Sequence, residues 1–182
     1  VGESVFAMVM VTIGLLILIR GLVLLVFGPQ VRPFPIVFPL QPFIVGDLTV
    51  HPFSVPHDAY EPVGFTVTCG EVRAAVVTDI GLPTTLVRQR LRDCQVIVLE
   101  SNHDERLLQE SPRPWSLKQR ISGRQGHLSN TRAAALLAEI ATPALQQVYL
   151  AHLSDECNRA DLALAEARRQ LVRAGYGHVR VH

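Results

Sequence analysis

The pattern of apolar and polar positions changes character near residue 30. From Val5 to Gly28 almost every position is apolar, Arg20 is the single charge, and no polar face recurs at helical spacing. A stretch of this length suffices to cross a bilayer, which takes about 20 apolar residues. The uninterrupted run before Arg20, Val5 to Ile19, is fifteen residues, and an arginine near the middle of a span costs roughly 2.5–3.5 kcal/mol on insertion scales. The segment lacks the basic leading region and small-residue cleavage site of a signal peptide. Pro29, Pro33, Pro35, Pro39 and Pro42 follow and exclude helix, which predicts a linker. Residues 1–39 therefore read either as a membrane anchor plus linker, or as an out-of-frame or mis-started stretch joined to a domain at 40–182.

Beyond the linker, short apolar runs alternate with helical patterns. Phe43 to Phe53 alternates around Val45-Gly46-Asp47 and predicts a hairpin. Val63–Thr68 and Ala74–Thr78 are rich in apolar and β-branched residues, separated by Cys69-Gly70-Glu71, and predict a second hairpin. Thr84 to Leu91 suits a short helix. Val96–Leu99 is wholly apolar, as in a strand covered on both faces. Ser129 and Asn130 supply capping groups for a helix from Thr131 to about Ile140, stopped before Pro143. Val148–Ala151 is a further buried strand. Asn158 is placed to cap a longer helix to Ala174, with Gly175 as its stop, and His178–Val181 is the last strand. Hairpins followed by alternating strand and helix predict a layered α/β domain.

Composition adds little to this picture. A formal charge of +1 on 182 residues implies no general attraction to nucleic acid or acidic membrane. Cys69, Cys94 and Cys157 are odd in number and lack metal-type spacing, so they read as small buried hydrophobes in a reducing compartment. Apart from its first thirty residues the chain reads as cytoplasmic; a real span at 5–28 would make it membrane-anchored.

The chemistry lies where strands end. Open α/β folds place their sites beyond the carboxyl ends of strands, and here those ends carry Asp79-Ile80-Gly81, Glu100-Ser101-Asn102-His103-Asp104, His152-Leu153-Ser154 and His57-Asp58. Histidine and aspartate suit a zinc-like or manganese-like ion. Each group also has a plainer use. Asp79 suits a turn, His152 a strand end, His57-Asp58 a surface loop, Asn102-His103-Asp104 a helix start, and His127 the turn before a helix. Spacing alone leaves both uses open.

Taken in order, HDAYEPVGF, TDIG, LESNHD, LKQRISGRQGHLSN and LAHLSDECN resemble the metallo-β-lactamase superfamily, and within it the YycJ-like (WalJ-like) branch, a relative of ribonuclease Z. The resemblance runs from about Leu40 to His182. It implies the C-terminal sheet and helices of an αββα sandwich, and a nuclease-like phosphodiesterase with two divalent ions (zinc, manganese or iron), in that branch a DNA exonuclease. By resemblance His57, Asp79 and His152 are metal ligands, with Asp79 bridging, and His127 protonates the leaving oxygen. Asn102, His103 and Asp104 form a strip beside the site, with Ser129 and Asn130 in the neighbouring motif. Lys118, Arg120 and Arg124 suit either phosphate contacts or ordinary solvated charge. The implied partner is nucleic acid or another phosphodiester, with membrane association through 5–28 as a further expectation.

The superfamily signature HxHxDH does not occur in the sequence. A sandwich that lacks the part carrying it would expose the inner face of its remaining sheet. A truncated or frame-disrupted product, inactive or acting only as a binding domain, is therefore the competing expectation.

Overall fold

A computed structural model describes residues 5–28 and 40–182. The chain divides into two units, Val1–Val37 and Phe38–His182. In the first, α1 spans Val5–Phe27, and its Val9–Val26 portion is long and apolar enough to cross a membrane. The proline-rich linker expected from Pro29 to Pro39 lies outside the described residues.

The second unit is a mixed seven-stranded sheet in sequential order: β1 Phe43–Val45, β2 Leu48–Ser54, β3 Val63–Cys69, β4 Val72–Val77, β5 Val96–Glu100, β6 Gln147–Ala151 and β7 Arg180–Val181. The first four strands form antiparallel hairpins, and β4 through β7 run parallel. Two-residue turns of the kind that need positive φ close the β1–β2 and β3–β4 hairpins, at Gly46 and at Gly70 with φ of 58° and 56°. Parallel neighbours need crossovers, and the helices supply them: α2 Thr85–Leu91, α3 Glu105–Glu110, α4 Trp115–Ser122, α5 Asn130–Ile140 and α6 Ala160–Arg173.

Period-two alternation sets the core. Ala75, Val77, Ile97, Leu99, Val148 and Val181 are buried in one cluster with Val87 and Leu91 of α2, Leu136, Leu137 and Ile140 of α5, and Ala167 and Leu171 of α6. The other face is more open. Phe65, Val76, Val98 and Tyr149 share one register row, in which Val76 is 40% and Tyr149 41% exposed. The helices thus cover one face of the sheet.

Four expectations need correction. Asn158 does not cap α6. The cap position is Arg159, with no side-chain bond, because Asn158 is buried and its amide is used elsewhere. Cys69 is exposed, since it ends β3 at the hairpin turn; Cys94 and Cys157 are buried, and all three are free. The final strand is shorter than expected, Arg180–Val181. The helix α4 is additional, whereas α3 begins at the helix start that Asn102-His103-Asp104 offered; each is under three turns, and the apolar positions of α4, Leu117 and Ile121, are too few to establish a period.

Candidate metal centre

Five loops at the carboxyl ends of the parallel strands and beside the hairpins meet at one place. They are tied backbone to backbone: Gly81 N–H donates to Pro56 O at 2.9 Å, Asp58 N–H to Gln125 O at 2.9 Å, Asn102 N–H to Leu128 O at 2.8 Å and Ser154 N–H to Asn102 O at 2.8 Å. The approach is close enough to require glycine. A Cβ on Gly81 would lie 2.5 Å from Arg124 O, and one on Gly126 would collide with Arg120 O and Ile121 O.

This convergence brings four of the sequence-derived site residues together around Asp79. Asp79 Oδ1 lies 3.5 Å from His57 Nε2, 3.6 Å from His152 Nδ1 and 3.9 Å from His127 Nδ1. The rings of His57 and His127 are 4.9 Å apart, and those of His127 and His152 5.1 Å. Asp79 and His152 both have left-handed backbone, φ 53° and 57°, a conformation uncommon outside glycine and concentrated at functional sites. Asn102 helps to hold the second of these turns by donating Nδ2–H to His152 O at 2.9 Å.

Glu100 is missing from the ligand set that the sequence suggests, yet it occupies the centre of the site. It is fully buried. Its Oε2 accepts Ile80 N–H at 2.8 Å and Leu128 N–H at 3.3 Å. Its Oε1 lies 2.6 Å from His127 Nδ1 and 2.8 Å from His152 Nδ1. The hydrogen bond to Glu100 raises the pKa of His127 against the opposing effect of burial, and nearby Asp79 and Asp58 add to the rise. A carboxylate ending the apolar run Val96–Leu99 was the available signal, since a buried carboxylate needs partners.

The remaining predicted residues fall around this centre. Ser129 caps α5 through Oγ, accepting from Arg132 N–H, and donates to Glu105. Asn130 joins a buried network in which Ser101 Oγ donates to Asn130 Oδ1 at 2.7 Å, and Asn158 Nδ2 donates to Ser101 O at 2.7 Å. His103 is buried, its carbonyl accepts from Asn130 N–H, and its Nδ1 has no partner. Burial pushes its pKa down to about 4. Asp104 caps α3 by accepting from the N–H groups of Arg106 and Leu107, so its carboxylate serves the helix start. Arg120 pairs with Asp58, which holds that carboxyl below its ordinary range. Lys118 reaches Gln109 O, and Arg124 is exposed.

The donor set fits a divalent ion. Ligands about 2.1 Å from zinc at tetrahedral angles lie about 3.4 Å apart, close to the separations around Asp79. Tautomer chemistry supports the same fit. His57 Nδ1 is 2.9 Å from Gly126 O, which can only accept, so a neutral His57 turns its Nε2 lone pair toward Asp79 and toward Asp58 Oδ1 at 3.6 Å. Facing acceptors need a cation between them, or a proton on the ring. Asp79, Glu100, His127 and His152 also place one ligand atom each within 4.8 Å of the others, a group that could hold an ion.

Comparison with known proteins agrees with this architecture. The family model described as "Beta-lactamase superfamily domain" matches residues 16–153. The chain is 35% identical over 132 residues to the exodeoxyribonuclease YycJ of Bacillus anthracis, covering 72% of this chain and 50% of that protein. It is 31% identical to the exodeoxyribonuclease WalJ of Streptococcus pneumoniae, covering 72% and 49%. The chain thus spans about half the length of these curated relatives. Among solved structures, the metallo-β-lactamase fold protein YhfI of Bacillus subtilis superposes with a TM-score of 0.58 at 16% identity, over 81% of this chain and 51% of that one. That likeness speaks to the fold alone.

Proposed function

The chain belongs to the metallo-β-lactamase superfamily, and from that membership we propose that it acts as a metal-dependent phosphodiesterase on DNA. The observation that carries the proposal is the gathering of three imidazoles within 3.9 Å of one carboxylate oxygen of Asp79. His57, Asp79 and His152 would hold the metal, with Asp79 shared between the two histidines. Bound divalent ions supply charge neutralisation on phosphoryl oxygens and activation of water.

The rest of the chemistry belongs to the chain. His127 gives its Nδ1–H to Glu100, which leaves Nε2 as the exchangeable position. The raised pKa keeps that ring protonated to higher pH than an ordinary histidine, as a general acid for a leaving oxygen requires. Glu100 fixes the tautomer and favours the charged ring. Its own position is set by two backbone donors, Ile80 and Leu128. Gly126 carries the carbonyl that orients His57 and precedes His127, so one turn sets two of the three imidazoles.

The test is hydrolysis of 5′-phosphorylated DNA and of bis(p-nitrophenyl) phosphate by the chain with added manganese or zinc. Metal-dependent release of nucleotides supports the proposal; no cleavage of either substrate counts against it. A second proposal concerns location. The apolar span Val9–Val26 supports membrane tethering, and recovery of the chain in the soluble fraction without detergent would refute it.

A further inference from the structure

The charges of this nearly neutral chain are unevenly placed. From Ser111 to Ala138 the sequence carries Arg113, Lys118, Arg120, Arg124 and Arg132 and no carboxylate, although the formal charge of the whole is +1. This stretch contains α4 and the turn that presents His127. The helix buries Ile121 against Leu108 and Cys157 and turns Trp115, Gln119, Arg120 and Ser122 to solvent. Trp115, the only tryptophan of the chain, is 62% exposed. An indole with that much exposed surface has a cost in water unless something covers it.

The C-terminal end of α4 abuts the metal centre. His127 N–H donates to Ile121 O at 2.7 Å, and Arg120 pairs with Asp58, the neighbour of His57. Trp115 stands at the opposite end, roughly 11 Å along the axis at ~1.5 Å per residue. That distance is about three stacked nucleotides at ~3.4 Å each. Among the described residues Arg124, exposed in the turn between α4 and His127, has no carboxylate partner, and the Lys118 ammonium donates to the carbonyl of Gln109.

We propose that α4 and the turn after it form a docking strip for single-stranded nucleic acid, with Trp115 stacking on an unpaired base and Lys118 and Arg124 contacting phosphates on the way to His127. The proposal rests on the phosphodiesterase reading and deepens it by naming the form of the substrate. Stacking is what selects a single strand, because duplex bases present no free face to an indole at the surface. The cations supply the salt-dependent part of the affinity.

The strip can be tested without turnover. The full chain is titrated with a 5′-phosphorylated oligothymidine in chelator, following Trp115 emission and, in parallel, the anisotropy of a labelled oligonucleotide. The strip predicts saturable quenching that weakens with salt and an affinity for duplex well below that for single strand. Trp115→Ala should weaken binding about 5- to 150-fold, the range that base stacking carries. Lys118→Gln with Arg124→Gln should weaken it about 10-fold or more and reduce the salt slope by roughly 1–2. Binding with unchanged Trp115 emission, or equal affinity for duplex, overturns the strip. So does hydrolysis of bis(p-nitrophenyl) phosphate by a chain that binds no oligonucleotide, which leaves the metal-site proposal standing. Quenching by oligonucleotide in a chain that hydrolyses nothing supports the strip and refutes the metal-site proposal instead.

Discussion

His127 gives its Nδ1–H to Glu100 Oε1 at 2.6 Å, and Glu100 has no exposed surface. A short bond to an enclosed carboxylate makes the ring easier to protonate and fixes which nitrogen faces outward. Glu100→Gln keeps the shape and removes the charge. It should slow phosphodiester hydrolysis about 10²- to 10⁴-fold, the usual weight of a general acid. It should also lower the His127 pKa toward that of a free imidazole, read by NMR titration of the ring. Unchanged turnover with an unchanged titration would show that the pair does no chemistry.

The turn at Gly126 should be intolerant of any side chain. A Cβ there would meet Arg120 O and Ile121 O, both on the backbone of α4, where neither atom can swing aside. Gly126→Ala should therefore destabilise the domain by about 2–4 kcal/mol, measured by urea unfolding. A variant as stable as the wild type would show that the turn is looser than its contacts indicate.

His103 should give the protein an acid sensitivity of its own. It is 2% exposed, and burial lowers its pKa to about 4, whereas the unfolded ring titrates near 6.5. Above about 6.5 neither state holds the extra proton, and no stability is lost. As pH falls from about 6.5 toward 4, the unfolded chain takes up a proton that the folded chain refuses, so stability drops; below that the effect is constant. Between about pH 7 and 4.5 the loss from this one group is roughly 2–3 kcal/mol. In His103→Leu the drop measured by urea unfolding over that interval should be smaller by that amount. An identical drop in both proteins would mean that His103 takes its proton in the folded state.

The sequence discloses the sheet more readily than the site. Apolar runs such as Val96–Leu99 and the glycine turn at Gly70 locate strands and hairpins because local pattern and burial agree. The helix start at Ser129 is legible for the same reason, since a hydroxyl before a free N–H needs no distant partner. Glu100 is not legible in the same way. Its two backbone donors come from Ile80 and Leu128, and only the folded sheet brings these together. Asn158 misleads for a related reason: an asparagine ahead of a helix suggests a cap, but tertiary burial commits its amide to Ser101. The helix α4 follows no strong period and is held by Leu117 and Ile121 against Leu108 of α3 and Cys157 of the loop after β6.

The most direct test of the metal centre is calorimetric titration of zinc or manganese into the metal-free chain and into Asp79→Asn. Asparagine tolerates the left-handed backbone at this position, so unfolding by urea should be nearly unchanged and the comparison isolates the carboxylate. The wild type should bind the ion at a defined stoichiometry, and the variant should lose that binding. Equal uptake by both proteins, or none by the wild type, would contradict a metal centre built on Asp79.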